Sequence, residues 1–151
     1  MVPSKIEKEI LIDAPLEVVW RVVTEPDQVT QWFIEEAEFE PKLGGTGRFS
    51  SRSGRPFYFE IEAFEPPRRF AYRWVQAEGL ALRPDNSMLV EFTLEPEAGS
   101  TRLRVVESGF DQVDWSDEQK TQYFEDHSNG WGRFLPRLRD YAPHVATAGR
   151  E

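Results

Sequence analysis

The chain has 151 residues, 39% of them apolar and 30% charged, and a formal net charge of -9. That length suits one domain with a substantial core, and the acidic balance repels phosphate backbones and anionic lipid, so nucleic acid and membrane surfaces are poor partners. The chain contains no cysteine, which removes disulfides, thiol catalysis and thiolate metal sites.

Ile6, Ile10 and Ile12 share a parity, with Glu7 and Glu9 between them, and predict a first strand with one wet face. Asp13 is a candidate cap and Pro15 suits a first helical turn, so a helix is expected to start there. Val18, Val19, Val22 and Val23 give that helix an apolar face, with Trp20 adding bulk. Glu25-Pro26-Asp27 breaks it and opens a second short helix that runs through Val29 to Trp32 and Phe33. A ladder of strands follows. Phe39 closes a short one, and the glycine-rich stretch from Pro41 to Gly47 is a turn. Arg48 to Arg52 is the next strand, and Ser53 to Pro56 a tight connection. Phe57, Phe59, Ile61 and Ala63 alternate with Tyr58, Glu60 and Glu62, until Pro66-Pro67 stops the run. Phe70, Tyr72 and Trp74 alternate with Arg69, Ala71 and Arg73. Ala77 to Ser87 reads as a longer loop. Met88, Val90, Phe92 and Leu94 form another inward row, and Pro96 to Gly99 turns the chain. Leu103, Val105 and Glu107 then share one parity, with Arg102 and Arg104 on the other.

The last element is predicted as a long helix from Ser116 to Tyr141, with Ser116 as N-cap and Asp117 and Glu118 in the first turn, where the helix dipole favours acid. Phe124, His127, Trp131, Phe134 or Leu135, Leu138 and Tyr141 recur at steps of three and four, which makes one aromatic-rich stripe. Pro136 removes one helical hydrogen bond and crowds the carbonyl of Gly132, so a kink is expected between Gly130 and Pro136. The polar tail after Tyr141 is expected to fray. A strand, two short helices, about six further strands and one long helix predict an α+β fold. A curved antiparallel sheet would wrap the C-terminal helix, the only element long enough to cover an inner face bearing Phe59, Tyr72, Trp74 and Phe92.

With those elements in place, the chain resembles a known family. The marks are Ile12-Asp-Ala-Pro15 before Val18-Val-Trp20, then Gln31-Trp-Phe33 and Gly44-Gly45 before a strand. Glu65-Pro-Pro67 before Phe70-Ala-Tyr-Arg-Trp74, Thr101 to Arg104 leading to Ser108-Gly-Phe110, and His127-Ser-Asn-Gly-Trp131 complete them. Together, over roughly residues 5 to 142, they resemble the activator of HSP-90 ATPase homologue (AHSA-type) branch of the START and birch-pollen-allergen (SRPBCC) superfamily. The resemblance implies the helix-grip fold, with a deep cavity between the curled sheet and the C-terminal helix. It also suggests a stress-related chaperone role. In eukaryotic activators this domain is the C-terminal half of a longer protein, so the resemblance carries the fold further than that role.

Cavity-wall candidates are Trp32, Phe49, Phe59, Tyr72, Trp74, Phe92, Phe124, Trp131 and Leu135, since apolar walls with a few polar groups make a small-molecule site. The competing reading for each is plain core packing. His127 lies on the stripe one turn before Trp131, as a general base, as a ligand-orienting group, or as a core or rim histidine satisfied by a backbone or carboxylate partner. Glu107 should point inward, as an acid, base or ligand anchor, or else within an ion pair to an arginine or at a position near the cavity mouth. If the two face each other, they form an acid-base pair.

Other chemistries lack their residues. Only His127 and His144 are present, so a histidine-rich metal site is not expected. A nucleophile elbow and a P-loop lysine motif are missing, and Gly44 to Gly47 lacks the setting of a dinucleotide loop. Asp111, Asp114, Asp117 and Glu118 read as a solvated acidic loop and cap rather than a calcium site. No metal or cofactor is expected. No apolar run approaches the roughly 20 residues that cross a bilayer, and no signal core precedes Asp13, so the expected setting is cytoplasmic. The leading functional expectation is a binding protein for a hydrophobic or aromatic small molecule. The rivals are a chaperone-linked interaction protein and a cyclase- or hydrolase-type enzyme using Glu107 and His127. Monomer and homodimer both remain open.

Overall fold

The computed structural model describes residues 5–52, 54–75, 79–110, 113 and 115–148. Strand β1 (Lys5–Ile12) leads into helices α1 (Leu16–Thr24) and α2 (Pro26–Val29). Six strands follow: β2 (Glu36–Phe39), β3 (Thr46–Ser50), β4 (Phe57–Glu65), β5 (Arg69–Val75), β6 (Ser87–Glu97) and β7 (Ser100–Ser108). Helix α3 (Asp117–Ala148) closes the chain. The strands form one antiparallel seven-stranded sheet in the order β1-β7-β6-β5-β4-β3-β2, so the meander read from the alternation is present, with β1 returning to pair beside β7. The sheet curves around α3. This is the helix-grip architecture, and a bulge between Ile61 and Ala63 bends β4 within it.

The two faces of the sheet are chemically distinct. Inside, Phe49, Phe59, Ile61, Phe70, Tyr72, Trp74, Val90, Phe92, Leu103 and Val105 are all buried. Outside, arginines and glutamates on neighbouring strands pair. Arg102 reaches Glu9 at 2.7 Å and Glu97 at 2.6 Å, Arg73 reaches Glu62 at 2.8 Å, and Arg104 meets Glu7. Exposed pairs of this kind add little stability each, but they keep the outer face wet and so fix which face takes the helix. The β6–β7 hairpin turns on two residues, Ala98 and Gly99, both at positive φ (52° and 87°), which matches the twist of the strands it joins.

Several boundaries differ from the sequence reading. Asp13 does not cap α1; Pro15 is the N-cap, no side chain closes that end, and the Asp13 carboxylate accepts from the Ser100 hydroxyl at 3.5 Å. Helix α2 ends at Val29, and hydrogen-bonded turns carry the chain on to Phe33. Strand β3 starts two residues early, at Thr46. The expected loop before β6 contains one 3-10 turn, Pro84–Asn86, which a side-chain bond from Asn86 to the Ala81 carbonyl holds at 2.8 Å, and Ser87 already belongs to β6.

Ser116 caps α3 as expected: its hydroxyl accepts from the Gln119 amide at 3.2 Å, and the Gln119 side chain accepts from the Ser116 amide at 3.0 Å. The C-terminal end needs correction. The helix does not stop near Tyr141 but runs unbroken through Pro136 and Pro143 to Ala148. Burial explains the extra length, since Ala142 is fully buried and Val145 and Ala146 pack against the core. Asp111 and Asp114 of the expected acidic loop lie outside the described residues, as does the segment after Ala148.

Candidate functional site

The inner face of α3 carries Tyr123, His127 and Trp131, four residues apart, so their side chains stand above one another on one stripe. Opposite them, the parity of β7 drives Glu107 inward, two strands away from Trp74 of β5. All four side chains converge on the carboxylate. Trp74 Nε1 donates to Oε2 at 2.9 Å and Trp131 Nε1 donates to Oε1 at 3.0 Å. The Tyr123 hydroxyl donates to Oε2 at 3.1 Å, and His127 Nδ1 lies 3.0 Å from Oε1 and 3.2 Å from Oε2. Glu107 itself is 0% exposed. Indole N–H groups can only donate, so both oxygens act as acceptors, and Nδ1 completes the set by donating as well. Glu107 and His127 therefore do face each other. The arginine partner considered for Glu107 is not there; among the described residues its one basic neighbour is His127.

The tyrosines near this carboxylate are held neutral. Burial pushes the Tyr72 and Tyr123 phenols well above their usual range, and the Glu107 charge pushes both further. A protonated Tyr123 hydroxyl is the state its bond to Glu107 requires. The Tyr123 ring also stacks on His127, centroids 3.7 Å apart, so the imidazole is fixed by a ring on one side and a carboxylate at Nδ1. Nε2 has no hydrogen-bond partner among the described residues.

Beside this cluster lies a cleft of about 250 Å3 between α3, the start of β4, the end of β5 and the segment after α2. Its walls are Phe33, Ile34, Phe57, Trp74, Trp131 and Phe134, with His127, Gly130, Asp126 and Arg133 along the helix side. A broader, open groove of about 570 Å3 runs over β2, β3 and β4 and includes the Arg48–Glu38 pair, exposed at the surface. The smaller cleft is the better site, because it alone touches the buried polar cluster.

Three of the expected wall residues, Trp74, His127 and Trp131, line this cleft. Trp32, Phe49, Phe59, Tyr72, Phe92 and Leu135 do not line it and are buried in the core. Phe49 and Phe59 stack at 4.2 Å, Phe33 lies flat on Trp131 at 5.7 Å, and Phe92 meets the edge of Trp131 at 5.9 Å. Phe124 does not line the cleft; it is half-buried at the edge of the core and packs on Phe110 at 6.0 Å, and Tyr123 takes its place on the inner stripe. Sequence reasoning missed Tyr123, although steps of four through Tyr123, His127, Trp131 and Leu135 mark it. It also missed Phe33, Ile34, Phe57 and Phe134 as walls.

Comparison with known proteins agrees with the fold. A family model described as Activator of Hsp90 ATPase homolog 1-like protein matches residues 13–142. No curated protein matches the chain by sequence. Among solved structures, protein MLL2253 from Mesorhizobium loti is 26% identical with a TM-score of 0.74, over 90% of this chain and 94% of that one. DynU16, from the dynemicin biosynthetic locus, is 27% identical with a TM-score of 0.70 over 92% of this chain, which spans only 47% of DynU16. The Aha1 dimer from Colwellia psychrerythraea is 19% identical with a TM-score of 0.71, over 91% and 95% of the two chains, a likeness of fold alone. No described helix is long and apolar enough to cross a membrane.

The cluster sets two expectations. Glu107→Ala leaves four inward-facing donors unpaired around a void, so unfolding stability should fall by roughly 3–5 kcal/mol, read as a shift in urea midpoint. The buried phenols make the fold sensitive to alkali. An unfolded chain releases tyrosine protons near about pH 10 whereas the folded chain retains them, so stability falls as pH rises above that value. Tyrosinate absorbance and near-ultraviolet circular dichroism should change together; Tyr72 and Tyr123 ionising within an intact fold would contradict the packing described.

Proposed function

The chain belongs to the activator of Hsp90 ATPase homolog 1-like family, and from that premise we propose that it binds a small aromatic molecule in the cleft beside Glu107 and His127. The observation that carries this is the composition of the cleft. Five aromatic rings surround an open volume, and one imidazole edge is presented at its wall. Such a set of apolar surfaces with a few fixed polar atoms is what orients a small ligand.

Size narrows the class. About 250 Å3 falls just under the roughly 300–1,000 Å3 of drug-sized sites. With the deep interior filled by Phe49, Phe59, Tyr72 and Phe92, one or two rings fit, and a sterol or acyl chain does not. DynU16, whose locus is biosynthetic, is a neighbour compatible with a fold that handles organic molecules. The family description supports a second reading, a chaperone-linked role. Under it, adding the protein should change the ATPase rate of a cognate Hsp90-type chaperone, and an unchanged rate would count against it.

Two glycines one turn-fraction apart on α3 test the ligand reading. A Cβ on Gly130, which lines the cleft, would sit 3.5 Å from Phe134, while one on Gly132 would meet nothing within 4 Å. Replacing either by Ala should stabilise the helix by up to about 1 kcal/mol. Gly130→Leu should fill the cleft and abolish saturable quenching of Trp74 and Trp131 by apolar aromatics, together with the ligand-dependent rise in melting temperature. Gly132→Leu should keep both. Binding that survives Gly130→Leu, or a library that gives no saturable hit, would refute the assignment.

A further inference from the structure

We propose that the ligand of this cleft is a phenol-type molecule, a planar aromatic with an acidic hydroxyl, and that it is held as its anion, with His127 Nε2 taking the hydroxyl proton. This rests on the small-molecule reading above and adds the class and the charge state of the ligand.

The argument begins with the tautomer. The Trp74 and Trp131 indoles and the Tyr123 hydroxyl already donate to Glu107, so the carboxylate oxygens can only accept from the His127 ring as well. Nδ1 is therefore the nitrogen that donates, 3.0 Å from Oε1, and Nε2 is the ring nitrogen left for a ligand. His127 is 24% exposed at its side chain and lines the cleft, and Nε2 has no partner among the described residues. A ligand lying among the rings thus meets one fixed acceptor. The group that completes it is a hydroxyl attached to the ring. Transfer of that proton breaks one O–H bond and forms one N–H bond. It leaves a phenolate in the cleft and an imidazolium whose opposite nitrogen is already bonded to a carboxylate.

The charged groups at the rim of the cleft are two cations and one acid. Arg133 lines the same cleft, is exposed, and has no acidic partner among the described residues; its guanidinium stands 5.7 Å over the Phe134 ring. Arg137 lies over the same ring at 5.8 Å, also without an acidic partner among those residues. One group opposes them. Asp126 is on the cleft wall, about 10 Å from Arg133 along the helix axis, and Gln122 donates to its carboxylate at 3.0 Å, from the preceding turn. The cleft is thus polarised, with its positive end past Phe134. Tyr123, the other titratable group against His127, stays protonated and donates to Glu107, so it does not compete for the proton.

The test compares 4-nitrophenol with its methyl ether, 4-nitroanisole, on the full chain, at a pH where the free phenol is mostly protonated. Both should quench tryptophan fluorescence saturably. Bound 4-nitrophenol should show the phenolate absorption band and compete with the ether. In His127→Phe, which keeps a ring against Tyr123, the band should vanish and 4-nitrophenol should weaken roughly tenfold relative to the ether, about 1.4 kcal/mol, the ether correcting for any loss common to both probes. Arg133 is exposed and outside the core, so Arg133→Gln keeps the fold; it should weaken the phenol more than the ether. Bound 4-nitrophenol that keeps its phenol spectrum in the unmodified protein overturns the proposal while leaving the small-molecule reading intact. Equal responses of both probes to Arg133→Gln overturn it in the same way. If neither probe binds, both readings fall.

Discussion

Glu107 is a carboxylate with no solvent contact and no Lys or Arg beside it among the described residues. Moving such a group out of water costs several kcal/mol unless its oxygens are satisfied. The fold meets that cost with donors from two elements set against a third. β7 supplies the acid, β5 one indole, and α3 an indole, a phenol and an imidazole. A rotation of α3 about its axis, or a slip of one turn, would break all three helix bonds at once. Hydrophobic packing alone tolerates small shifts of a helix over a sheet; this arrangement does not. The register of the helix against the sheet is thus set by one charged group.

The same cluster explains how a nearly full interior still leaves a usable recess. Rings from five strands and two helices interlock beneath α1 and the middle of α3. Toward the N-terminal half of α3 the wall changes. Trp74 and Trp131 are tethered through their N–H groups, so they cannot swing inward to close the gap beside Phe57 and Phe134. Gly130 supplies no side chain to fill it. The recess exists where polar bonds hold large rings apart and a small residue faces them.

Much of this was legible in the sequence. Period-two alternation marks β1, β4, β5, β6 and β7, and the parity of Leu103, Val105 and Glu107 puts the acid inside. Ser116, read as the N-cap, caps α3 in the structure. What escaped was decided by contacts between distant segments. Nothing local tells that Ala142 and Val145 find a core to pack on, so the helix looked shorter than it is. Tyr123 and Phe124 are adjacent rings on one helix; a strict step of four favours the first, and the position of Glu107 confirms it. Ile34 belongs to a connection that no periodicity marks, and Phe57, though on an alternating row, stands at a strand end. The deep cavity was implied by the resemblance and by no residue of its own; Phe49, Phe59 and Phe92, read as its walls, are buried in the core.

The cleft has two kinds of wall, and that division bears on how its selectivity could drift. Trp74, His127 and Trp131 serve the carboxylate as well as the recess, so changing any of them disturbs the seating of the helix. Ile34, Phe57, Arg133 and Phe134 make no bond to Glu107. Substitutions there alter size and charge at the opening without loosening the anchor. A scaffold built this way can exchange one small molecule for another through its rim, while the proton-handling edge of His127 and the seat of α3 remain as they are.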